Sequence, residues 1–148
     1  MSDSATFVEH SELLTSSFGG AWPSFHDAEV ISIDLWRGDV CPERDSWIGS
    51  VITMKIQVLE ATQPGASHAG NDHLVTLRFH DADDIKLIGF NHQNAINGLF
   101  FSDEPTHNGI SRQLRVVFVR GFGVDASFRC ARIEVLHVEP FSQSNPCA

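Results

Sequence analysis

The strongest constraint on the fold of this chain is a series of short segments in which apolar and polar residues alternate. Successive side chains of an extended strand point to opposite faces, so this pattern predicts strands with at least one buried face. The apolar positions of the clearest segments are Ile31, Ile33 and Leu35; Ile52, Met54, Ile56 and Val58; Val75, Leu77 and Phe79; and Leu114, Val116 and Phe118. Ile85–Leu87 and Asn97–Phe101 indicate two weaker strands.

The final strand, predicted over Phe128–Val138, changes phase along its length. Its apolar residues stand at even positions up to Cys130 and at odd positions from Ile133 onward. An extra residue in one strand of a pair shifts the alternation by one, so we expect a bulge near Ala131-Arg132.

One helix is predicted ahead of the strands, over Phe7–Phe18. Its apolar stripe consists of Phe7, His10, Leu14 and Phe18. Thr6 and Glu9 have the spacing of a capping box, and Gly19-Gly20 can supply a left-handed stop. We therefore expect an α+β domain, in which an antiparallel sheet of five to seven strands packs one face against this N-terminal helix.

Length, charge and cysteine content narrow the functional classes. The 148 residues are the size of one domain, so we expect a single domain over 1–148 with a loose tail over 142–148. Lys and Arg number 10 against 19 Asp and Glu, and the net charge of −9 disfavours nucleic acid and anionic membranes as partners. Cysteines without a Cys-x-x-Cys pair, and an N-terminus without a secretory pattern, favour the reducing cytoplasm.

The densest polar cluster lies between the helix and the first strand, in the run WPSFHDAE over residues 22–29. His26, Asp27 and Glu29 are residue types that bind metals or transfer protons. An extended chain, however, points His26 away from the face shared by Asp27 and Glu29. We favour a structural role for these residues in the helix-to-strand turn. The sequence contains no phosphate-binding or nucleophile-elbow motif, so we predict no catalytic residue, metal or cofactor.

Two acidic groups follow predicted strands and are candidates for binding a partner. Exposed carboxylates attract Lys and Arg of a partner and speed association. The candidate residues are His80, Asp81, Asp83 and Asp84 in one group, and Asp103 and Glu104 in the other.

The run Phe18-Gly19 followed by residues 22–30 resembles the signature of the immunity protein 50 family of bacterial polymorphic toxin systems. Similar features follow in Leu77–Phe79, in Gly89–Asn94 and in the strand end Val138–Pro140. The signature positions are Trp22, Phe25, His26, Asp27 and Glu29. The resemblance implies a cytoplasmic antitoxin that binds and blocks a cognate toxin domain, and it assigns no catalytic role to these positions.

Three functions stay open on the residues alone. The first is a non-enzymatic immunity protein, whose acidic balance suits a basic toxin such as a nuclease. The second is a small metal-dependent hydrolase that uses His26, Asp27 and Glu29, with His80 as a further ligand. The third is a stand-alone ligand-binding or structural domain. The resemblance favours the first.

Overall fold

The computed structural model describes residues 4–41, 46–59, 72–105 and 113–141, and the predicted tail over 142–148 lies outside them. The described chain is mostly β, with one short α-helix. The elements are β1 (Val8–Glu9), α1 (Glu12–Thr15), β2 (Glu29–Trp36), β3 (Asp39–Cys41), β4 (Ser46–Ile48), β5 (Val51–Val58), β6 (His73–His80), β7 (Asp83–Ile88), β8 (Ile96–Glu104), β9 (Gln113–Arg120), β10 (Asp125–Cys130) and β11 (Arg132–Pro140). Short 3₁₀ turns occupy Ser4–Phe7 and Ser16–Phe18. Among these residues, no helix has the length and apolar character that crossing a membrane requires.

The strands form two main sheets where one was predicted, and the larger of them has five strands, within the predicted five to seven. The larger sheet has the order β1-β11-β6-β5-β2, and the smaller has the order β7-β10-β9-β8. A separate two-stranded sheet pairs β3 with β4. The prediction of antiparallel pairing is confirmed for every pair of named strands in the described residues except β1 with β11, which is parallel.

Two connections carry the chain from one sheet to the other at the same corner of the molecule. β6 leads into β7, and β10 leads into β11 through Ala131. The N–H of Ala131 donates to the carbonyl oxygen of His80 at 2.8 Å, which ties the two connections together. The phase change near Ala131 is therefore a change of sheet, and the predicted single strand over Phe128–Val138 is two strands.

A single hydrophobic core lies between the two sheets. The ring of Phe79 from the larger sheet packs edge-on against Phe128 and Phe118 of the smaller sheet, with ring centroids 4.9 and 6.2 Å apart. The alternating apolar residues of β5, β6 and β9 are buried there, as predicted. β2 departs from the prediction at two positions. A register shift between Val30 and Ser32 gives the place of Ile31 in the core to Val30 and leaves Ile31 exposed, and Leu35 is exposed as well.

The predicted helix over Phe7–Phe18 is much shorter than expected. Val8 and Glu9 pair with β11 instead, and the Glu9 carboxylate accepts from Arg132 Nε at 2.7 Å rather than capping a helix. His10 has a left-handed φ of 60°, which breaks any helix across it. The predicted stop is confirmed, since Gly19 has a φ of 69° directly after Phe18. Leu14 of α1 is fully buried, so this short helix does pack on the core.

Candidate functional site

The segment Trp22–Glu29, called here the signature segment, is anchored by its aromatic residues. Phe25 is buried, and its ring lies 5.7 Å from the ring of Trp22. Trp22 also meets Phe101 of β8 edge-on, with centroids 6.1 Å apart. Such aromatic contacts add to the free energy of burial. They fix the segment against β8, an edge strand of the smaller sheet.

Backbone hydrogen bonds then fasten the signature segment to the beginning of β8. The N–H of Asp27 donates to the Ile96 carbonyl oxygen, and the N–H of Ile96 donates to the Ala28 carbonyl oxygen, both at 2.9 Å. An antiparallel bridge between Glu29 and Ala95 continues this pairing. Asp27 takes a left-handed φ of 67°, a conformation that Asp tolerates better than most residues. The segment therefore joins β2 of one sheet to β8 of the other.

A buried asparagine completes this junction. Asn94 Nδ2 donates to the Asn91 and Val30 carbonyl oxygens at 2.7 and 3.4 Å, and Asn94 Oδ1 accepts from the Asn91 N–H at 2.9 Å. The backbone N–H of Asn94 donates to Glu29 Oε1 at 3.3 Å. Because buried polar groups cost free energy when unpaired, this network holds the loop before β8 in one conformation.

The ionisable side chains of the signature segment do not converge. His26 and Asp27 are 61% and 67% exposed, and His26 Nδ1 lies 3.2 Å from Asp27 Oδ2, whereas Glu29 turns toward Asn94. In the part of the chain that the structure describes, no three His, Cys, Asp or Glu side chains lie close enough to hold a metal ion. The ligand set of the hydrolase alternative is therefore not gathered in these residues. Backbone hydrogen bonds hold the turn, and a structural role for the side chains of His26 and Asp27 stays a prediction.

Most of the acidic contact candidates lie on the outer face of the smaller sheet, where arginines already bind them. Arg115 donates to both oxygens of Glu104 at 2.7 and 2.9 Å and lies 3.3 Å from Asp84. Arg129 binds Asp83 in the same bidentate way, at 2.9 and 3.0 Å. The hydrogen bonds from Arg115 lower the pKa of Glu104 below its ordinary value. This set is an ion-pair cluster across neighbouring strands.

The remaining candidates lie apart from that cluster. His80 Nε2 is 2.6 Å from Glu134 Oε1 and 3.1 Å from Arg132 Nη2, so its ring belongs to an ion pair on the larger sheet. Burial raises the pKa of Glu134, but the hydrogen bond and charge of His80, with the charge of Arg132, outweigh it and lower that pKa. Asp81 is exposed in the turn after β6, and Asp103 lies in β8 beside Glu104.

Four aromatic side chains of the described residues are exposed and were not identified from the sequence: Trp36, Phe90, Phe100 and Phe122. Phe90 and Phe122 are exposed, Phe122 by 64%, and both stand in glycine-containing turns. The N–H of Phe122 donates to the Ala95 carbonyl oxygen at 2.8 Å, which places its turn against the loop before β8. In the sequence, Phe90 and Phe122 each follow a glycine directly, and this is the signal that could have identified them. The glycine alone indicates only a turn. A partner that covered these rings would bury considerable apolar area.

These features define a β-rich domain in which a signature segment fastens two sheets together. The family model for Immunity protein 50 matches residues 10–141, and the chain belongs to that family. No curated protein and no solved structure matches the chain significantly.

Proposed function

We propose that this protein is a non-enzymatic immunity protein that binds a cognate bacterial toxin domain and blocks it in the cytoplasm of the producing cell. The family match over residues 10–141 carries this proposal. The exposed pair of His26 and Asp27 supports it further, because the ligand set of the hydrolase alternative is not gathered within the described residues.

The charge of the chain favours a basic toxin domain as the partner. A net charge of −9 attracts a cationic partner over long range and raises the association rate. A toxin that acts on nucleic acid has such a basic surface, because it must bind phosphates. Salt screens this attraction, so association should slow as the ionic strength rises.

Among the acidic contact candidates, Asp81 is the best placed for a direct ionic contact. It is exposed, and it forms no ion pair with any other described residue. The carboxylates of Asp83, Asp84 and Glu104 are already bound to Arg115 or Arg129. To contact the toxin they would bind its cations either in addition to these arginines or in place of them. We therefore rank Asp81 first and keep His80 and Asp103 as flanking contacts.

Co-expression with a toxin domain, which the proposal expects the neighbouring gene to encode, tests this function. Growth should be rescued only when the protein is made in at least molar equivalence to the toxin, because a blocked toxin is bound and not altered. Asp81→Lys should slow association at low salt, while the matched control Glu139→Lys on β11 should have little effect. Rescue by trace amounts of the protein would contradict the proposal and favour catalysis.

A further inference from the structure

One edge of the larger sheet is open along most of its length. β2 is the last strand in the order of that sheet and pairs with β5 on one side. On its other side, within the described residues, the bridge between Glu29 and Ala95 starts a ladder that goes no further. Alternate backbone groups of residues 31–36, called here the free edge, thus point away from β5, with no strand of the described residues beside them.

The side chains of the free edge are unusually apolar for such a position. Ile31, Leu35 and Trp36 are all exposed. Leu35 lies opposite the fully buried Ile52 and shares its core-facing side, yet it is 54% exposed because no neighbouring strand covers it. A strand added at this edge would extend the row that begins with Ile52 and would bury Leu35.

The β7 edge of the smaller sheet carries the charges that normally protect an edge from pairing. β7 contains Asp83, Asp84 and Lys86. Asp83 binds Arg129 of the neighbouring strand β10, and Asp84 binds Arg115 of β9, one strand further along the sheet. Between residues 31 and 36 the free edge has one charged side chain, Asp34. Apart from Asp34, the register shift at Ile31 is the feature of the free edge that disfavours pairing with another strand. The two edges therefore differ in their readiness to accept a strand.

The charge of Asp34 determines which kind of added strand is favoured at this edge. Its carboxylate is exposed and has no hydrogen-bond or ion-pair partner among the described residues. Antiparallel pairing of two copies of this chain along the free edge would place the two Asp34 side chains opposite or diagonal to each other on one face. Like charges so placed are destabilising, and the net charge of −9 on each copy adds to the repulsion. A strand that carries Lys or Arg at this position is attracted instead.

We infer that the free edge of β2 is the docking site for an extended segment of the toxin domain, which adds to the larger sheet as a further strand. The segment has alternating apolar residues that cover Leu35, with Lys or Arg facing Asp34. Main-chain hydrogen bonds supply the binding, and the alternating side chains supply the selectivity. This inference rests on the proposed function and specifies the surface that performs it.

Hydrogen–deuterium exchange of the full chain, alone and with the neighbouring gene's toxin domain, tests the inference directly. The outward amides of residues 31–36 should become protected in the complex, while the amides on the open side of β7 should exchange unchanged. A complex in which residues 31–36 exchange as in the free protein would overturn the docking site and leave the proposed function intact. Failure to form any complex would contradict both.

Substitutions separate this edge from the rest of the surface. Leu35→Lys and Asp34→Lys should each weaken toxin binding about tenfold or more, whereas Ile88→Lys on β7 should not. All three positions are exposed, so thermal unfolding should change little and serves as the check on folding. Loss of binding in Ile88→Lys alone, or a dimer of the free protein that Leu35→Lys dissociates, would overturn the inference.

Discussion

Asn94 and Val30 exchange hydrogen bonds between segments that are distant in the chain. The N–H of Val30 donates to the Asn94 carbonyl oxygen at 3.0 Å, and Asn94 Nδ2 donates to the Val30 carbonyl oxygen at 3.4 Å. Val30 opens the core-facing row of β2, and Asn94 precedes β8 of the other sheet. The two residues therefore connect the beginning of β2, in the larger sheet, to the beginning of β8, in the smaller sheet.

Replacing the buried Asn94 with Ala should destabilise the protein by about 2–3 kcal/mol, because it leaves the Asn91 N–H without its acceptor and removes two hydrogen bonds that the Asn94 side chain donates. Urea unfolding followed by circular dichroism measures the change. The exposed neighbour Asn97, whose Nδ2 donates to the Arg120 carbonyl oxygen, is the matched control, and Asn97→Ala should cost much less. Equal losses for the two variants would contradict the role given to Asn94.

Replacing His26 and Asp27 together with Ala should lower the unfolding free energy by about 1 kcal/mol, or about 3 °C in Tm. The reason is the backbone at Asp27, whose φ of 67° strains Ala more than Asp. The exposed His26–Asp27 ion pair adds little. His26→Ala alone should leave the Tm nearly unchanged. Asp27→Gly alone should keep the Tm of the wild type or raise it. A fall in Asp27→Gly as large as that in the double variant would show that the side chain, not the backbone, holds the turn.

The free energy of unfolding should fall as the pH is lowered, and part of this fall should come from protonation of Glu104. Hydrogen bonds from Arg115 lower its folded-state pKa below the ordinary 4.5, so the folded state favours the carboxylate. The stabilisation is therefore complete above pH 4.5 and is lost as the pH falls through the lowered pKa. Urea midpoints measured from pH 7 down to pH 3 should fall less steeply in Glu104→Gln than in the wild type. Glu139→Gln, at the exposed end of β11, is the control and should retain the wild-type slope.

The thiol of Cys130 should be inert in the folded protein. Burial, with the nearby charges of Asp81 and Asp83, raises the pKa of this thiol to about 12, so almost no thiolate exists at neutral pH. Iodoacetamide at pH 8 should leave the Cys130 peptide unmodified in buffer and alkylate it in urea, as read by mass spectrometry. Rapid alkylation of Cys130 without denaturant would mean that β10 opens readily from the core.

The alternating pattern predicted the location of most strands because burial of one face leaves a direct record in the sequence. It could not predict how the strands divide into two sheets, since the inner faces of both sheets contribute to one core and have the same pattern. The change of phase at Ala131 was visible, but a bulge and a change of sheet shift the alternation alike. At the N-terminus, pairing of Val8 with Ile133 prevailed over the local helical pattern.

The signature segment was predictable as a turn between the helix and the first strand, but its partners were not. Asn94 lies far along the chain from Val30, and nothing local to either residue indicates the other. The pairing of Asp84 and Glu104 with Arg115 depends on the register of strands from separate parts of the chain. Sequence alone therefore identified exposed acids without showing that arginines already bind them.

The most direct test of the central claim is a titration of the neighbouring gene's purified toxin domain with this protein, in which toxin activity and binding heat are followed together. If the protein blocks the toxin by binding it, toxin activity should fall linearly to zero at a fixed molar ratio, the heat should saturate at the same ratio, and both proteins should be recovered unaltered. Complete inactivation by substoichiometric amounts, or full toxin activity with no heat at excess, would contradict this claim.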